Sequence, residues 1–425
     1  MKNTKYTPRI IDKKIAWALD TFGAICVEGP KWCGKTWTSM HHSNSAVFLS
    51  DPEANFQNRW LAQTSPDLVL DGEIPHLVDE WQDVPEIWDA VRFRVDQDNQ
   101  KGQIILTGSS TPNHKGILHS GAGRIGRIRM RPMSLYESRD SSGDISLEDI
   151  CRGDFKAKKC RKTTLQDIVG LIVRGGWPGS LGLDNKKASN VAKQYIDAII
   201  DDDVYRLDGV KRDSVKMHML LKSLARNEST TASNATLVKD IKNIDKENID
   251  GNTVALYMDV FTRLFIIDNQ LPFTSAIRSS ARLKKAPKRH LADPSLACAL
   301  LKLNENKLIN DLKTLGFLFE ALCERDLRIY ADSFDGMLYH YQDYDNREID
   351  AIIEMDDGNW CAFEIKLGAH QIDEAAKNLL DIKRRIEADD GGKPPSVLCV
   401  ICGLTDYAYL REDGVYVVPI MGLRE

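Results

Sequence analysis

The chain has 425 residues, a net charge of −5, 42% hydrophobic and 28% charged residues. That length exceeds one small core and points to two or three domains. The near-neutral balance excludes a polyanion trap, and no apolar run approaches a membrane span.

The first expected element is a buried strand at Ala24-Ile25-Cys26-Val27. Gly29 to Thr36 follows as Gly-Pro-Lys-Trp-Cys-Gly-Lys-Thr, fitting the phosphate-loop pattern G-x-x-x-x-G-K-[ST]. Gly29 and Gly34 allow a tight turn whose backbone N–H groups face phosphate oxygens. Pro30, Lys31, Trp32 and Cys33 complete the loop. Lys35 is expected on the β and γ phosphates of ATP, and Thr36 on Mg²⁺ at a helix start. His76-Leu77-Val78-Asp79-Glu80 then reads as a strand ending in two carboxylates. Asp79 is expected on Mg²⁺ and Glu80 on the attacking water. Val84 to Val95 has helical spacing. Gln103 to Ser110 reads as a further parallel strand, with Thr107 or Ser109 near the γ phosphate or capping a helix.

The series of phosphate loop, Val-Asp-Glu, Leu-Thr-Gly-Ser, Gly123-Arg124 and Arg131-Pro132-Met133-Ser134-Leu135-Tyr136-Glu137 resembles the AAA+-like ATPases joined to a DUF4143 region. Met130 and Met133 stand where that family usually has leucine. The resemblance implies a P-loop NTPase parallel sheet and makes Arg124 the candidate arginine finger, in its own subunit or a neighbour.

Ser138 to Lys162 is expected to be a polar insertion or loop. Leu171 to Gly179 looks like a Gly-Gly-aromatic-Pro turn of the same family, a structural feature. Lys187 to Arg206 predicts an amphipathic helix, with Asp201-Asp202-Asp203 read as a solvated end before a metal site. Val215 to Leu271 predicts a winged-helix-like helical domain, with Thr253 to Phe261 as its last helix and Leu264 to Ile267 as a wing strand. That helix enters the major groove in DNA readers, but here it is apolar, with Arg263 nearly its sole cation. Arg124 to Arg131 and Arg282 to His290 are local basic stretches, read as solvated surface or as DNA phosphate contacts. Asp293 is expected to cap the helix beginning Pro294-Ser295-Leu296.

Near the C-terminus, Arg347 to Glu354 predicts a strand, then a turn, then Trp360 to Lys366. Period two puts Glu364 and Lys366 on one face, beside Asp350. This resembles the PD-(D/E)xK nuclease core, a restriction-endonuclease-like α/β domain. The likeness implies Asp350, Glu364 and a helical Glu320 as metal ligands, Lys366 as a catalytic cation, and Gln371 as a further polar position. The bland alternative is a hairpin with a Glu-x-Lys ion pair.

The expected division is residues 1–140 as ATPase core, 141–210 as connector, 211–290 as winged-helix-like domain and 291–425 as nuclease-like domain. Nine scattered cysteines suit reduced core thiols, and Cys399 with Cys402 lies in a buried strand. A cytoplasmic location is expected, with ATP, Mg²⁺ and DNA as partners, no membrane, and homo-oligomerisation open. The first functional reading is a Mg-dependent ATPase acting on DNA, with a metal-dependent nuclease domain. The alternative is a nucleotide-driven signalling or assembly switch whose nuclease-like domain is a protein-binding scaffold. A small-molecule kinase is weaker, since no acceptor site is visible.

Overall fold

The structure is a computed structural model and describes residues 6–53, 55–98, 100–111, 119–273, 286–343, 347–388 and 393–425. Arg282, Lys284 and Lys285 of the second basic stretch lie outside these residues. The chain divides into two compact units. One holds residues 1–132, 199–212 and 259–266; the other holds 133–198, 213–258 and 267–425. This differs from the expected serial division, because two short segments from the middle of the chain return to the first unit.

The first unit is built on five strands: β1 (Ala24–Glu28), β2 (Ser45–Phe48), β3 (His76–Asp79), β4 (Ile104–Gly108) and β5 (Ile125–Arg129). All pairings are parallel, in the order β2-β3-β4-β1-β5. A parallel sheet needs cover on both faces, and the sequence supplies it. Ile25 and Val27 pack with Ile15, Ala18 and Ile128, while Ala24 and Cys26 pack with Trp88, Val91 and Leu106. The strand insertion matters for function. β4 lies between β1 and β3, so Thr107 ends up between the phosphate loop and Asp79.

In the second unit come β6 (Ile145–Ser146), β7 (Lys158–Lys159), β8 (Leu271–Pro272), β9 (Met337–Gln342), β10 (Glu348–Glu354), β11 (Trp360–Gly368), β12 (Val397–Leu404), β13 (Tyr407–Leu410), β14 (Tyr416–Pro419) and β15 (Leu423–Arg424). Eight form a mixed sheet, β7-β13-β14-β12-β11-β10-β9-β8, and β6 pairs with β15. Helix Ile372–Ala388 covers it through Ile372, Ala375, Leu379 and Ile382, and helix Leu312–Asp332 also packs on β9 to β11. The stretch expected as a loop contains β6, β7 and helix Leu147–Arg152, capped by Ser146. These pieces are too short to show periodicity in sequence.

The Gly-Gly-Trp-Pro turn and the Asp293 segment form one lock. Asp293 is buried, caps Ser295 N–H as expected, and also accepts from Gly176 N–H at 2.9 Å and Arg325 at 2.7 Å. A Cβ at Gly176 would lie 2.2 Å from Met133 O, so only glycine fits. All nine cysteines are free and buried. Among the described residues, no helix is long and apolar enough to cross a membrane.

Candidate nucleotide site and C-terminal ion cluster

The phosphate loop leaves β1 at its carboxyl end and enters helix Lys35–His41. Gly34 has φ 107°, which glycine tolerates. A Cβ at Gly29 would sit 2.1 Å from Met130 O, so the loop lies tight against β5's continuation. Arg9 secures the back of the loop: it is buried and donates to Cys33 O at 2.8 Å and Arg131 O at 3.0 Å. Lys35 is buried and its ammonium rests on Pro30 O at 2.9 Å.

Thr36 Oγ1 donates to Asp79 Oδ1 at 2.9 Å, and Thr107 Oγ1 donates to the same oxygen at 2.6 Å. Burial is the main force pushing the Asp79 carboxyl above the usual range, opposed by the Thr107 hydrogen bond. Next along the chain, Glu80 adopts a left-handed backbone (φ 58°), costing about 1–2 kcal/mol. Its N–H donates to Thr107 Oγ1 at 3.0 Å, which holds that conformation. Ser109 donates to its Oε2 at 2.9 Å, and Gln82 donates to the same oxygen. Thus Thr107 holds the Asp79 carboxylate and the Glu80 backbone, whereas Ser109 touches the Glu80 carboxylate, the one expected to meet water.

Beside Glu80 lies a cavity of about 250 Å³, lined by Lys31, Ser50, Glu80, Ser109, Asp203 and Arg206 among others. The last two come from the returning segment, where a π-helical turn, Ile199–Asp203, runs into helix Val204–Asp208. Asp203 is buried and pairs with Lys31 of the loop at 2.5 Å. Only Asp201 and Asp202 fit the solvated helix end expected for this triplet. Arg206 and Gln82 carry no motif, so sequence reasoning passed over them, and it read Asp203 only as part of a helix end.

Arg124 is elsewhere. Ala24 pairs with Ile125 in parallel register, so Arg124 precedes the amino end of β5, at the edge opposite the phosphate loop. Five strand residues at about 3.3 Å each separate the two edges. Arg124 is half exposed and paired with Asp96 at 2.8 Å. A finger role within its own subunit does not fit; action on a neighbouring copy does not require the same edge. The other arginines of that stretch are also engaged: Arg127 with Glu28 and the Trp88 ring, Arg129 over the Phe265 ring.

The C-terminal residues gather as expected around β10 and β11. Lys366 Nζ lies 3.2 Å from Asp350 Oδ2 and 2.5 Å from Glu364 Oε2. Asp350 Oδ2 also accepts the Ile365 N–H at 2.8 Å, and Glu364 Oε1 accepts from Asn378 at 2.6 Å. Glu320, on helix Leu312–Asp332, meets an unexpected partner. Lys288 Nζ lies 2.6 Å from Glu320 Oε1 and 3.8 Å from Asp350 Oδ1. Burial pushes the Glu320 carboxyl up to about 7, against the pull of Lys288. Burial and then Asp350 push Glu364 up to about 8. For Asp350 burial acts upward too, but Lys366 and Lys288 outweigh it and hold the carboxyl below its ordinary value. A cavity of about 680 Å³ opens beside the cluster, lined by Glu320, Lys366, His370 and Gln371 with apolar neighbours. The basic stretch is not solvated where it is described: Lys288, Arg289 and His290 are all buried.

In the middle, helices Ser214–Arg226, Asn234–Asp240 and Gly251–Arg263 are followed by antiparallel bridges Ile267–Leu291 and Gln270–Lys288. The third helix buries Val254, Tyr257, Val260 and Phe261, and exposes Asn252, Ala255, Leu256 and Asp259. Arg263 is turned to Thr111 O, Asp208 and Asp259.

Residues 21–138 match the family model of an AAA domain, and residues 315–423 match that of DUF4143, a domain of unknown function. Together with the phosphate-loop geometry, these matches make the first unit similar to AAA-type ATPase domains and the C-terminal part similar to DUF4143 regions, which supports nucleotide binding and hydrolysis. Residues 165–307 match a second domain of unknown function, DUF8612. Uncharacterized proteins of Mycobacterium tuberculosis and Mycobacterium bovis are each 23% identical over 353 residues, covering 82% of this chain and 71% of theirs. Among solved structures, a Walker-type ATPase of Pyrococcus abyssi is 13% identical with a TM-score of 0.43, covering 68% of this chain and 94% of its own. A DNA polymerase III gamma subunit-related protein from Thermotoga maritima is 13% identical with a TM-score of 0.22, covering 73% and 97%.

Proposed function

We propose that the chain binds Mg-ATP at the phosphate loop and hydrolyses it. The observation that carries this is the Thr36–Asp79–Thr107 hydrogen-bond set at the loop's helix. A hydroxyl and a carboxylate joined at 2.9 Å are oxygen donors suited to Mg²⁺, which neutralises the charge developing on the phosphates when bound. Lys35 is anchored to a loop carbonyl, which β and γ phosphate oxygens replace. The loop N–H groups and the helix start orient the phosphate chain. Glu80, fixed by Ser109 and Gln82, orients and polarises the attacking water. Arg206, which lines the same cavity as Glu80 and Lys31 of the loop, is our candidate for the cation on the γ phosphate within one subunit. The test is Glu80→Gln. It is expected to hold ATP with near wild-type affinity while turnover falls by about 10² or more. Equal turnover in the variant would remove Glu80 from the mechanism.

For the remainder of the chain we favour the nucleotide-driven switch over a DNA-cleaving enzyme. Supporting this, the third helix of the winged-helix-like region exposes an acid and no lysine or arginine. DNA phosphate contacts need such cations. The helical trio with bridges from Thr230 and Gln270 to Arg289 and Lys288 is in keeping with a winged helix used for packing. DNA affinity that falls steeply with salt would reverse this preference.

A further inference from the structure

The nuclease-like core implies a divalent metal among Glu320, Asp350 and Glu364. The residues present do not fit one. Among the described residues, no group of three His, Cys, Asp or Glu side chains is arranged to hold a metal ion. The carboxylates are instead interleaved with two ammonium groups. Both Glu364 oxygens are taken, by Lys366 and Asn378, and Asp350 Oδ2 is taken by Lys366 and the Ile365 N–H. The remaining face, between Glu320 Oε1 and Asp350 Oδ1, is filled by Lys288.

Lys288 is no flexible surface residue that happens to lean in. Its side chain is 2% exposed. Its backbone exchanges both hydrogen bonds with Gln270, at 2.9 and 3.0 Å. The Gln270 side chain donates in turn to the carbonyl oxygens of Tyr339 and Asp350, at 2.8 and 3.2 Å. The lysine is therefore tied to the strand that carries Asp350. A buried ammonium is tolerated only where carboxylates compensate it, and a divalent ion placed on those same oxygens would both repel the ammonium and remove its partners. Three carboxylates face two lysines, so at most one negative charge is left over without any metal.

We infer that Lys288 is the resident cation of the nuclease-like site, occupying the position between Glu320 and Asp350 that a divalent metal would need, so that this domain is a metal-free ion-paired scaffold. The inference deepens the scaffold half of the switch reading and is independent of ATP hydrolysis, which uses other residues.

The test is calorimetric titration of Mn²⁺ into the nucleotide-free full chain. Wild type and Asp350→Asn are expected to give superimposable isotherms, and any shift of the melting midpoint by Mn²⁺ is expected to be the same in both. A Mn²⁺ equivalent bound by wild type and lost in Asp350→Asn overturns the inference. If Asp350→Asn does not fold, Glu364→Gln serves as the partner in the same comparison. Lys288→Met, checked for a cooperative melt, is expected to gain at least a tenfold increase in Mn²⁺ affinity, removed again by Asp350→Asn in that background. A folded Lys288→Met that gains no Mn²⁺ binding also overturns it. Hydrolysis of ATP by wild type and Lys35→Ala, run beside these, keeps a failure here distinct from a failure of the ATPase reading.

Discussion

Asp79 and Asp350 are both buried carboxylates on strands of a sheet, each with a lysine nearby, yet their partners differ in kind. Asp79 is held by two hydroxyls, from Thr36 and Thr107. Asp350 faces two ammonium groups, from Lys366 and Lys288. Neutral donors leave the charge of Asp79 unspent, so an arriving Mg²⁺ gains its full attraction. Ammonium donors have already used the charge of Asp350. The lysines differ in the same way: Lys35 waits on a carbonyl, while Lys288 sits on carboxylates. The same residue types therefore make a poised site in one unit and a satisfied one in the other.

The strongest way to break this comparison is Lys288→Ala. Removing one partner of a buried pair leaves an uncompensated charge, and a loss of about 3–5 kcal/mol is expected in denaturant unfolding of the second unit. A change below about 1 kcal/mol would mean that the cluster is open to water and to metals. Next in size is Arg206→Ala, expected to lower turnover by about 10² by removing a cation beside the reacting phosphate. Arg124→Ala measured at dilutions that favour isolated chains is expected to leave turnover unchanged, since that residue lies at the opposite sheet edge. Reversal of these two results would return the finger role to Arg124.

The smallest effect sharpens the account of charge. Burial, and then the neighbouring Asp350, push the Glu364 carboxyl up to about 8, well above its ordinary range. The folded state thus holds its proton over a range where the unfolded chain has released it. Stability from this group falls as pH rises through that window and is complete below it. Glu320, pushed up to about 7, acts in the same direction. Glu364→Gln is expected to flatten the decline of the melting midpoint between about pH 5 and 8. A decline as steep as in wild type would assign it to other groups.

Much of the nucleotide site was legible because its chemistry is contiguous. Eight consecutive residues specify the phosphate loop, and Asp79 and Glu80 end one short strand. Glu364 and Lys366 were legible for a similar reason, since strand periodicity alone puts them together. The missed residues act across long sequence gaps as single side chains. Asp203 reaches Lys31 from a π-helical turn, a geometry that hydrophobic periodicity does not reveal. Lys288 was hidden by its neighbours, because a run of basic residues reads as solvated surface whichever member turns inward. The subunit on which Arg124 would act stayed open in the sequence, because motif order says nothing of which sheet edge a residue occupies; only the parallel register of β1 with β5 does.

The most direct test of the central claim is steady-state ATP hydrolysis with Mg²⁺ by wild type beside Lys35→Ala. The account predicts Mg-dependent turnover in wild type and a fall of at least about 10² in the variant. Turnover that survives Lys35→Ala, or that needs no Mg²⁺, would contradict it.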